Sequence, residues 1–516
     1  MTPVDAGVAR LDLRLVPAAL TGWSVTAAGI LWQVTGLVFT LAVAVAVTGI
    51  VGWWWRGRGE GADDRAIGAG VLAVLVVGIA FGISVGLRVD AARNNPITQR
   101  YGTLATVEVS PVESPRALGG NRTMFRASLR TLDGCDATGR VVVFGSAQAF
   151  SELAAGRPVV FRARIGRPAR SDLTVAVLSA TGRPVWGKAA TVYRAAHAVR
   201  TAFAEATRRA LPADQAAMLP ALVLGDTSAL SQQTTAEFRT SGLTHLTAVS
   251  GANVTIVCGA VLLSAGLIGP RAAAVLAAFA LLVFVIVVQP SASVLRAAIM
   301  GAVTLLAVLS HRRRQALPAL SATILSLMVA SPELAVDVGF ALSVSATAAL
   351  VVIAPAWSRR LVDRGWPKPL ADAVCIAVAA QLVTAPLIAG VSGRFSVVSI
   401  AANLAAAAVI PPITVLGTAA AAICPLWPAG AGLLIRFTGP ELWWLSTVAR
   451  WSAKVPGAAL AMPSGLPGAV IVGAAGLAVV VLWRWRWTRI GVCVAVLAGL
   501  AWTVSGVSGG HDTIVG

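Results

Sequence analysis

One short stretch of the sequence places reactive side-chain types at the start of an apolar run. It reads "TSGLTHLTAVSGANVTIV" (residues 240–257) and contains His245, Ser250, Gly251 and Asn253. An imidazole and a hydroxyl are the base and the nucleophile of serine hydrolases. On a continuous helix, positions 245 and 250 lie about 140° apart, so hydrolase chemistry here requires a broken helix. Each of these residues also has a structural interpretation. His245 fits a histidine at the membrane interface, and Ser250 and Asn253 fit side chains that join membrane helices by hydrogen bonds.

Four further polar side chains interrupt apolar sequence downstream, and they are Arg296, Asp337, Gln381 and Asn403. An ionisable group inside a membrane span costs roughly 2.5 to 3.5 kcal/mol on insertion scales, so it usually faces a cavity or a partner. Asp337 also fits the start of a helix, which an aspartate can cap. Arg296 fits a purely structural role less well, because it follows Pro290 by six residues inside an apolar run.

Prolines lie close to these polar residues. Proline removes a backbone donor and disturbs a helix, so breaks are expected at Pro290, Pro386, Pro411 and Pro412. Half-helices that end around an aqueous pathway are typical of membrane transporters. The sequence therefore predicts a pore or vestibule lined by eight residues: His245, Ser250, Gly251, Asn253, Arg296, Asp337, Gln381 and Asn403.

The composition identifies the elements that must position these side chains. Of 516 residues, 57% are hydrophobic and only 12% are charged, and the mean hydropathy is +0.79. A helical span takes about 20 apolar residues, and the chain supplies many such runs. We predict a polytopic α-helical membrane protein with about 12 to 13 spans, some of them broken helices. Two spans fit between Arg14 and Arg56, a third fits 66–87, and about ten follow His245, including 398–427, 430–449 and 490–507.

Residues 89–185 differ from the rest, because they are polar and rich in short β-branched runs cut by Gly, Pro, Asn and Asp. In "MFRASLRTL" and "VVFRARIGR", apolar residues alternate with Arg126 and Arg130, and with Arg162 and Arg164. This period of two is typical of strands with one buried face. About five such strands predict an inserted extracytoplasmic β domain, with the OB-fold as the commonest candidate.

The remaining organisation follows from charge and spacing. Residues 1–88 are expected to form N-terminal membrane helices with three spans, 186–240 amphipathic or interfacial helices, 241–507 the transmembrane channel domain and 508–516 a short tail. Arginines in short loops, such as "HRRR" at 311–314, mark cytoplasmic ends by the positive-inside rule. This rule predicts a cytoplasmic N-terminus, with residues 89–240 outside.

Cofactor chemistry is not expected. Five cysteines include no CxxC pair, four histidines form no cluster, and no phosphate-binding P-loop is visible. The formal net charge of +19 rests on 38 arginines and three lysines, a bias that points to no particular partner.

The sequence resembles the ComEC family of competence proteins. "GLTHLTAVSGANVTIV" resembles the family signature, in which a histidine and a Ser-Gly pair precede a second histidine; here Asn253 replaces that second histidine. Four further segments match in order along the chain: "PSASVLRAAIM", "DVGFALSVSATAAL", "AAQLVTAPLI" and "ANLAAAAVIPP". The resemblance covers about 210–490, and 89–185 more loosely resembles the family's extracytoplasmic OB-like domain.

This resemblance implies a channel of the cytoplasmic membrane that takes up single-stranded DNA during transformation. Many family members carry a C-terminal metallo-β-lactamase-like domain, whereas this sequence ends at Gly516. We therefore expect no nuclease or metal site in this chain, and partners that include a separate nuclease, an ATP-driven motor and other competence proteins. Residues 101–185 have eleven arginines against six acids, which predicts electrostatic, sequence-independent binding of single-stranded DNA through Arg126, Arg130, Arg162 and Arg164.

Three alternatives stay open from the sequence. A small-solute or anion transporter would use the same broken helices and the same intramembrane arginine. An intramembrane serine hydrolase would use Ser250. A diverged family member without a transport role would fit Asn253 and the missing nuclease.

Overall fold

A computed structural model describes residues 12–32, 49, 64–113, 115–151, 153, 155–289, 292–309 and 316–482 of the chain. The first half contains α1 (Val16–Trp32), α2 (Asp64–Arg93), β1 (Leu104–Pro111), β2 (Arg116–Gly119), β3 (Arg122–Leu132), β4 (Cys135–Ser146), β5 (Val159–Gly166), β6 (Thr174–Trp186), α3 (Thr191–Ala210), α4 (Ala213–Leu224), α5 (Gln232–Thr240) and α6 (Gly251–Ser264). The second half contains α7 (Pro270–Val288), α8 (Ala292–Leu309), α9 (Ala316–Ala330), α10 (Val338–Val352), α11 (Ala354–Val362), α12 (Lys368–Ser392), β7 (Arg394–Ser396), α13 (Ser399–Ala407), α14 (Ile410–Ile423), α15 (Pro428–Phe437), α16 (Gly439–Lys454), β8 (Ala459–Ala461) and α17 (Leu466–Leu482).

The chain divides into two compact units. The first unit comprises Met1–Ala229, Val249–Ser343 and Thr414–Arg436, and the second comprises Leu230–Ala248, Val344–Ile413 and Phe437–Gly516. The first unit holds the β domain together with α1–α4 and α6–α9. The second unit holds α5, α11–α13, α16, α17 and the small β7–β8 ribbon.

The β domain is a closed five-stranded barrel. Its strands pair in the order β1-β5-β6-β4-β3, and β3 pairs again with β1 to close the ring. The β4–β6 pair is parallel and the other pairs are antiparallel. This arrangement is that of an OB-fold, so the predicted OB-like insert is confirmed.

The barrel core is aromatic because the alternating pattern turns its phenylalanines inward. Phe125 is fully buried and Phe161 is 3% exposed, and both pack against Phe150 at ring-centroid distances of 5.3 and 5.5 Å. Phe150 belongs to the turn between β4 and β5. A Cβ at Gly145 would lie 2.4 Å from the Phe150 ring, so the glycine is needed for the ring to fit.

The helices confirm a multi-pass membrane architecture, although fewer are of spanning length than expected. Four described segments are long and apolar enough to cross a bilayer: Leu72–Arg100, Pro270–Val288, Val338–Val362 and Lys368–Ser392. A bent pair, α13 with α14, could form a fifth. Other predicted spans, such as α6, α9 and α17, are helices of 10 to 17 residues. The predicted span at 430–449 is divided between α15 and α16. Most of the second of the two spans expected between Arg14 and Arg56, and all of the span at 490–507, lie outside the described residues.

The predicted helix breaks have different outcomes. α13 and α14 meet at a bend of 56°, and Pro411 and Pro412 lie in the first turn of α14, where proline needs no hydrogen-bond partner. Pro386 does not break its helix, because α12 continues to Ser392. The predicted break at Pro386 is therefore wrong, and the packing of α17 explains why. Gly473 lets α17 approach closely, since a Cβ at that position would lie 3.7 Å from the Pro386 ring. Neighbouring helices of this kind make proline tolerable within a membrane helix. Pro290 lies outside the described residues.

Candidate functional site

A buried arginine lies where three helices of the first unit meet. Arg296 on α8 is 5% exposed, and its Nε donates to Ser343 Oγ on α10 at 2.8 Å. Its Nη1 lies 3.3 Å from the sulfur of Met300. A Cβ on Gly251, the first residue of α6, would lie 3.1 Å from Arg296 Nη2. Glycine at this position therefore allows the guanidinium to approach the start of α6.

Ser250 and Asn253 connect the start of α6 to α4. The Ser250 hydroxyl donates to Asn253 Oδ1 at 3.3 Å, and the Asn253 amide donates to the Leu222 carbonyl at 2.9 Å. Asn253 is only 5% exposed. Its amide therefore holds two helices together, and the hydroxyl of Ser250 contacts an amide oxygen rather than an imidazole.

Asp337 occupies the junction between the 3-10 turn Pro332–Val336 and α10. Its Oδ1 accepts a hydrogen bond from the Phe340 amide at 2.8 Å. A carboxylate in this position caps the helix and is stabilised by the positive end of the helix dipole. The half-buried side chain thus fixes the start of the helix that carries Ser343.

The second unit contains a network of amides and hydroxyls, which we call the amide–serine network: Gln381, Ser396, Ser399 and Asn403. Ser399 Oγ donates to Gln381 Oε1 at 3.0 Å, and Asn403 Nδ2 donates to the Ser399 carbonyl at 2.8 Å. Ser396 Oγ donates to the Thr240 carbonyl at 2.7 Å. The network therefore ties α12 and α13 to the end of α5.

His245 lies just beyond this junction, in the 3-10 turn Thr244–Leu246. Its side chain is exposed, and Nδ1 lies 3.2 Å from the Gly242 carbonyl. Gly242 has φ +74°, and a Cβ there would lie 2.5 Å from Ser399 Oγ. The turn that carries His245 thus packs directly on the amide–serine network.

The structure brings the eight predicted residues into two clusters, one in each unit. The first unit holds Ser250, Gly251, Asn253, Arg296 and Asp337, and the second holds His245, Gln381 and Asn403.

The four arginines predicted on the β domain have different surroundings. Arg130, Arg162 and Arg164 are exposed. Arg126 is half-buried, and its Nη1 lies 3.8 Å from Glu113 Oε2. The sequence pattern did not separate Arg126 from the others, because a loop carboxylate outside the strand supplies the difference.

Two paired cations, the buried Arg200 and the half-buried Arg140, were not found from the sequence. Arg200 on α3 is 7% exposed, donates to the Leu224 carbonyl at 3.0 Å and to the Val287 carbonyl at 3.3 Å, and its Nη2 lies 3.5 Å from Asp226. Arg140 on β4 forms an ion pair with Glu333. The available signal for Arg200 was its place among the helically spaced residues of 186–211, where it falls on the apolar face.

Within the described part of the chain, no group of three or more His, Cys, Asp or Glu side chains is placed to hold a metal ion.

Comparisons with known proteins converge on one family. A family model described as "Competence protein" matches residues 222–487. ComE operon protein 3 of Bacillus subtilis (strain 168) is 25% identical over 201 residues, which cover 38% of this chain and 25% of that protein. The chain thus matches about a quarter of the length of this curated relative. No solved structure matches significantly.

Proposed function

Because the chain belongs to the competence protein family, we propose that it forms a channel for uptake of single-stranded DNA across the cytoplasmic membrane during transformation. The observation that carries this proposal is the family match, because its range of 222–487 contains every residue of both polar clusters. The role is transport, and the reacting groups of a nuclease are assigned to a separate protein.

The buried guanidinium of Arg296 suits this role. Each nucleotide of a DNA strand carries a negative phosphate, and a channel must replace part of its hydration with cationic or hydrogen-bonding groups. Arg296 is a cation among apolar helices, at the start of α6 and beside the hydroxyl of Ser343. Arg296 is therefore assigned a phosphate contact inside the membrane segment.

The other cluster residues receive supporting roles. The exposed His245 in the second unit and the hydroxyl of Ser250 in the first unit are each assigned a contact with the DNA strand. Asn253 holds α6 against α4, Asp337 fixes the start of α10, and Gln381 and Asn403 shape the second cluster. Gly251 leaves the space that the guanidinium occupies.

The β domain acts ahead of the channel. Its exposed arginines attract the DNA backbone without reading its sequence, because phosphate contacts carry no base information. This role places the β domain outside the cytoplasmic membrane and the N-terminus inside, with the bilayer, a separate nuclease, an ATP-driven motor and other competence proteins as partners.

Uptake of labelled DNA by cells that carry Arg296→Ala tests the channel role. A hydrogen bond to a charged group contributes about 1.5 to 3 kcal/mol, so uptake should fall by roughly 10-fold to 150-fold. Arg296→Lys should fall between the wild type and Arg296→Ala, since it keeps the charge but loses the planar fork. The exposed Arg271 at the start of α7 provides the control, because Arg271→Ala should leave uptake unchanged.

Normal uptake by Arg296→Ala at normal protein level would remove this residue from the pathway. A deletion strain with unchanged transformation frequency would favour the alternative considered from the sequence, a small-solute or anion transporter.

A further inference from the structure

The outward surface of β3 and β4 is partly covered by the chain itself. In the register of these strands, Ser128 lies opposite Arg140 and Arg126 lies opposite Val142. Directly opposed residues of an antiparallel pair share one face, so these four residues form one surface, the β3–β4 face. All four are half-buried, although they point away from the barrel core.

Carboxylates from outside the two strands neutralise the cations of the β3–β4 face. Arg140 forms an ion pair with Glu333 of the 3-10 turn before α10, and Arg126 lies near Glu113. Burial lowers the pKa of Arg140 and the charge of Arg126 lowers it further, while Asp172, Glu113 and Asp337 act in the opposite direction. Two arginines therefore lie among four carboxylates, a balance that disfavours a phosphate. The four carboxylates are Glu113, Asp172, Glu333 and Asp337.

The outward surface of β5 has the opposite character. Arg162 and Arg164 are both exposed, and within the described ranges no carboxylate lies within ion-pair distance of either. Arg162 lies opposite Thr106 of β1 and Thr181 of β6, which are also exposed. We call this surface, formed by Arg162, Arg164, Thr106 and Thr181, the β5 face.

Two acids adjoin this surface. Glu108, two residues further along β1 than Thr106, lies opposite Val160. Asp133 accepts a hydrogen bond from the Thr106 backbone amide at 2.8 Å, and its other carboxylate oxygen pairs with Arg100 at 2.7 Å, so Arg100 offsets its charge and Arg162 and Arg164 keep theirs. Residues two apart on a strand are separated by about 6.7 Å, a spacing close to that of successive phosphates in an extended single strand. The β5 face therefore fits two neighbouring phosphates.

We propose that the β3–β4 face docks the barrel onto the chain's own segment 331–337 through Arg140 and Glu333, and that single-stranded DNA lies on the β5 face. This inference rests on the proposed DNA-uptake function. It departs from the usual behaviour of OB-folds, in which the second and third strands, here β3 and β4, face the ligand. The docking also leaves the DNA face free while the barrel is held on the membrane segment.

The DNA side of this inference is tested with the full chain in detergent, by fluorescence anisotropy of a labelled oligothymidylate over a salt series. Arg162→Glu combined with Arg164→Glu should weaken binding at least tenfold. Since each phosphate contact of a single strand contributes about 0.7 to the slope of log K against log salt, the slope should fall by about 1.4. Arg126→Gln, the matched arginine on the other face, should stay within twofold of the wild type.

Docking of the barrel on segment 331–337 is tested by reversing the charges of the Arg140–Glu333 pair, first one residue at a time and then both together. Arg140→Glu or Glu333→Arg alone should speed hydrogen exchange in segment 331–337, and the double exchange should restore protection while leaving DNA affinity within twofold. Arg122→Glu, at the exposed start of β3, is the control and should leave hydrogen exchange in segment 331–337 unchanged.

The two ideas fail differently. If Arg126→Gln weakens binding and the β5 substitutions do not, or if the double exchange fails to restore protection, the assignment of faces is overturned while DNA binding by the β domain stands. If the wild-type chain binds no oligothymidylate at low salt, the DNA-binding role of the β domain fails, and this inference fails with it.

Discussion

Substitution of Gly242 by alanine should disturb the turn that carries His245 more than any ordinary surface change. The backbone at Gly242 has φ +74°, a region that costs an L-residue roughly 1 to 2 kcal/mol. The new Cβ would lie 2.5 Å from Ser399 Oγ and 2.6 Å from Ser399 Cβ, and overpacking of this kind costs typically about 1 to 3 kcal/mol. Movement of Ser399 would also loosen its hydrogen bond to Gln381, which contributes about 1 kcal/mol. Together these effects predict that Gly242→Ala lowers the free energy of unfolding by about 3 to 6 kcal/mol.

The assay is unfolding in detergent followed with a thiol-reactive dye, because Cys375 on α12 is buried in the same unit. Gly259→Ala is the matched control: it lies within α6, a Cβ there meets nothing within 4 Å, and alanine should stabilise the helix by up to about 1 kcal/mol. Adding Ser399→Gly to Gly242→Ala removes the clash, so the double variant should be more stable than the two single losses predict when added.

An unfolding profile of Gly242→Ala that matches Gly259→Ala would refute the packing of this turn on the amide–serine network. Additive losses in the double variant would refute the direct contact between Gly242 and Ser399.

Two further stability predictions follow from buried side chains. Arg200→Met should lower the free energy of unfolding by about 3 to 5 kcal/mol in the same assay, because it leaves Asp226 and helix-end carbonyls without their cation, and Arg194→Met on the exposed side of α3 should have little effect. Phe150→Ala should lower the free energy of unfolding by about 3 to 5 kcal/mol, because it leaves a cavity among Phe125, Phe161 and Trp186. Limited proteolysis of the full chain should then cut within residues 101–185. Resistance to the protease equal to that of the wild type would contradict the assigned core.

The β domain shows which parts of the fold are predictable from sequence. Alternation of apolar and polar residues gave the inward positions of Phe125 and Phe161, because strand side chains point to opposite faces in turn. The closing order of the strands depends on pairings between distant segments, such as β4 with β6, and no local pattern encodes them.

The candidate site divides in the same way. The cost of a charge in an apolar run identified Arg296 from the sequence, and the structure shows it buried. Its partner Ser343 lies 47 positions away and was not distinguishable from other serines in helices. Likewise Arg126 and Arg162 have equivalent strand patterns, and only the position of Glu113 in the folded chain separates them.

Pro386 illustrates a local rule that the surroundings override. Proline destabilises an isolated helix, which supported the expected break. Close packing through Gly473 on α17 surrounds that position, and the information for it lies almost 90 residues further along the chain.

The barrel is attached to the helices at both of its ends. α2 continues through the 3-10 turn Pro96–Arg100 into β1, and only four residues separate the end of β6 from the start of α3. Because these connections are short, a DNA strand bound on the barrel is held near the membrane segment at a high effective concentration, on the order of millimolar. Under the proposed function, weak and rapidly reversible binding on the barrel would therefore be sufficient, and it would let the strand slide onward instead of being retained.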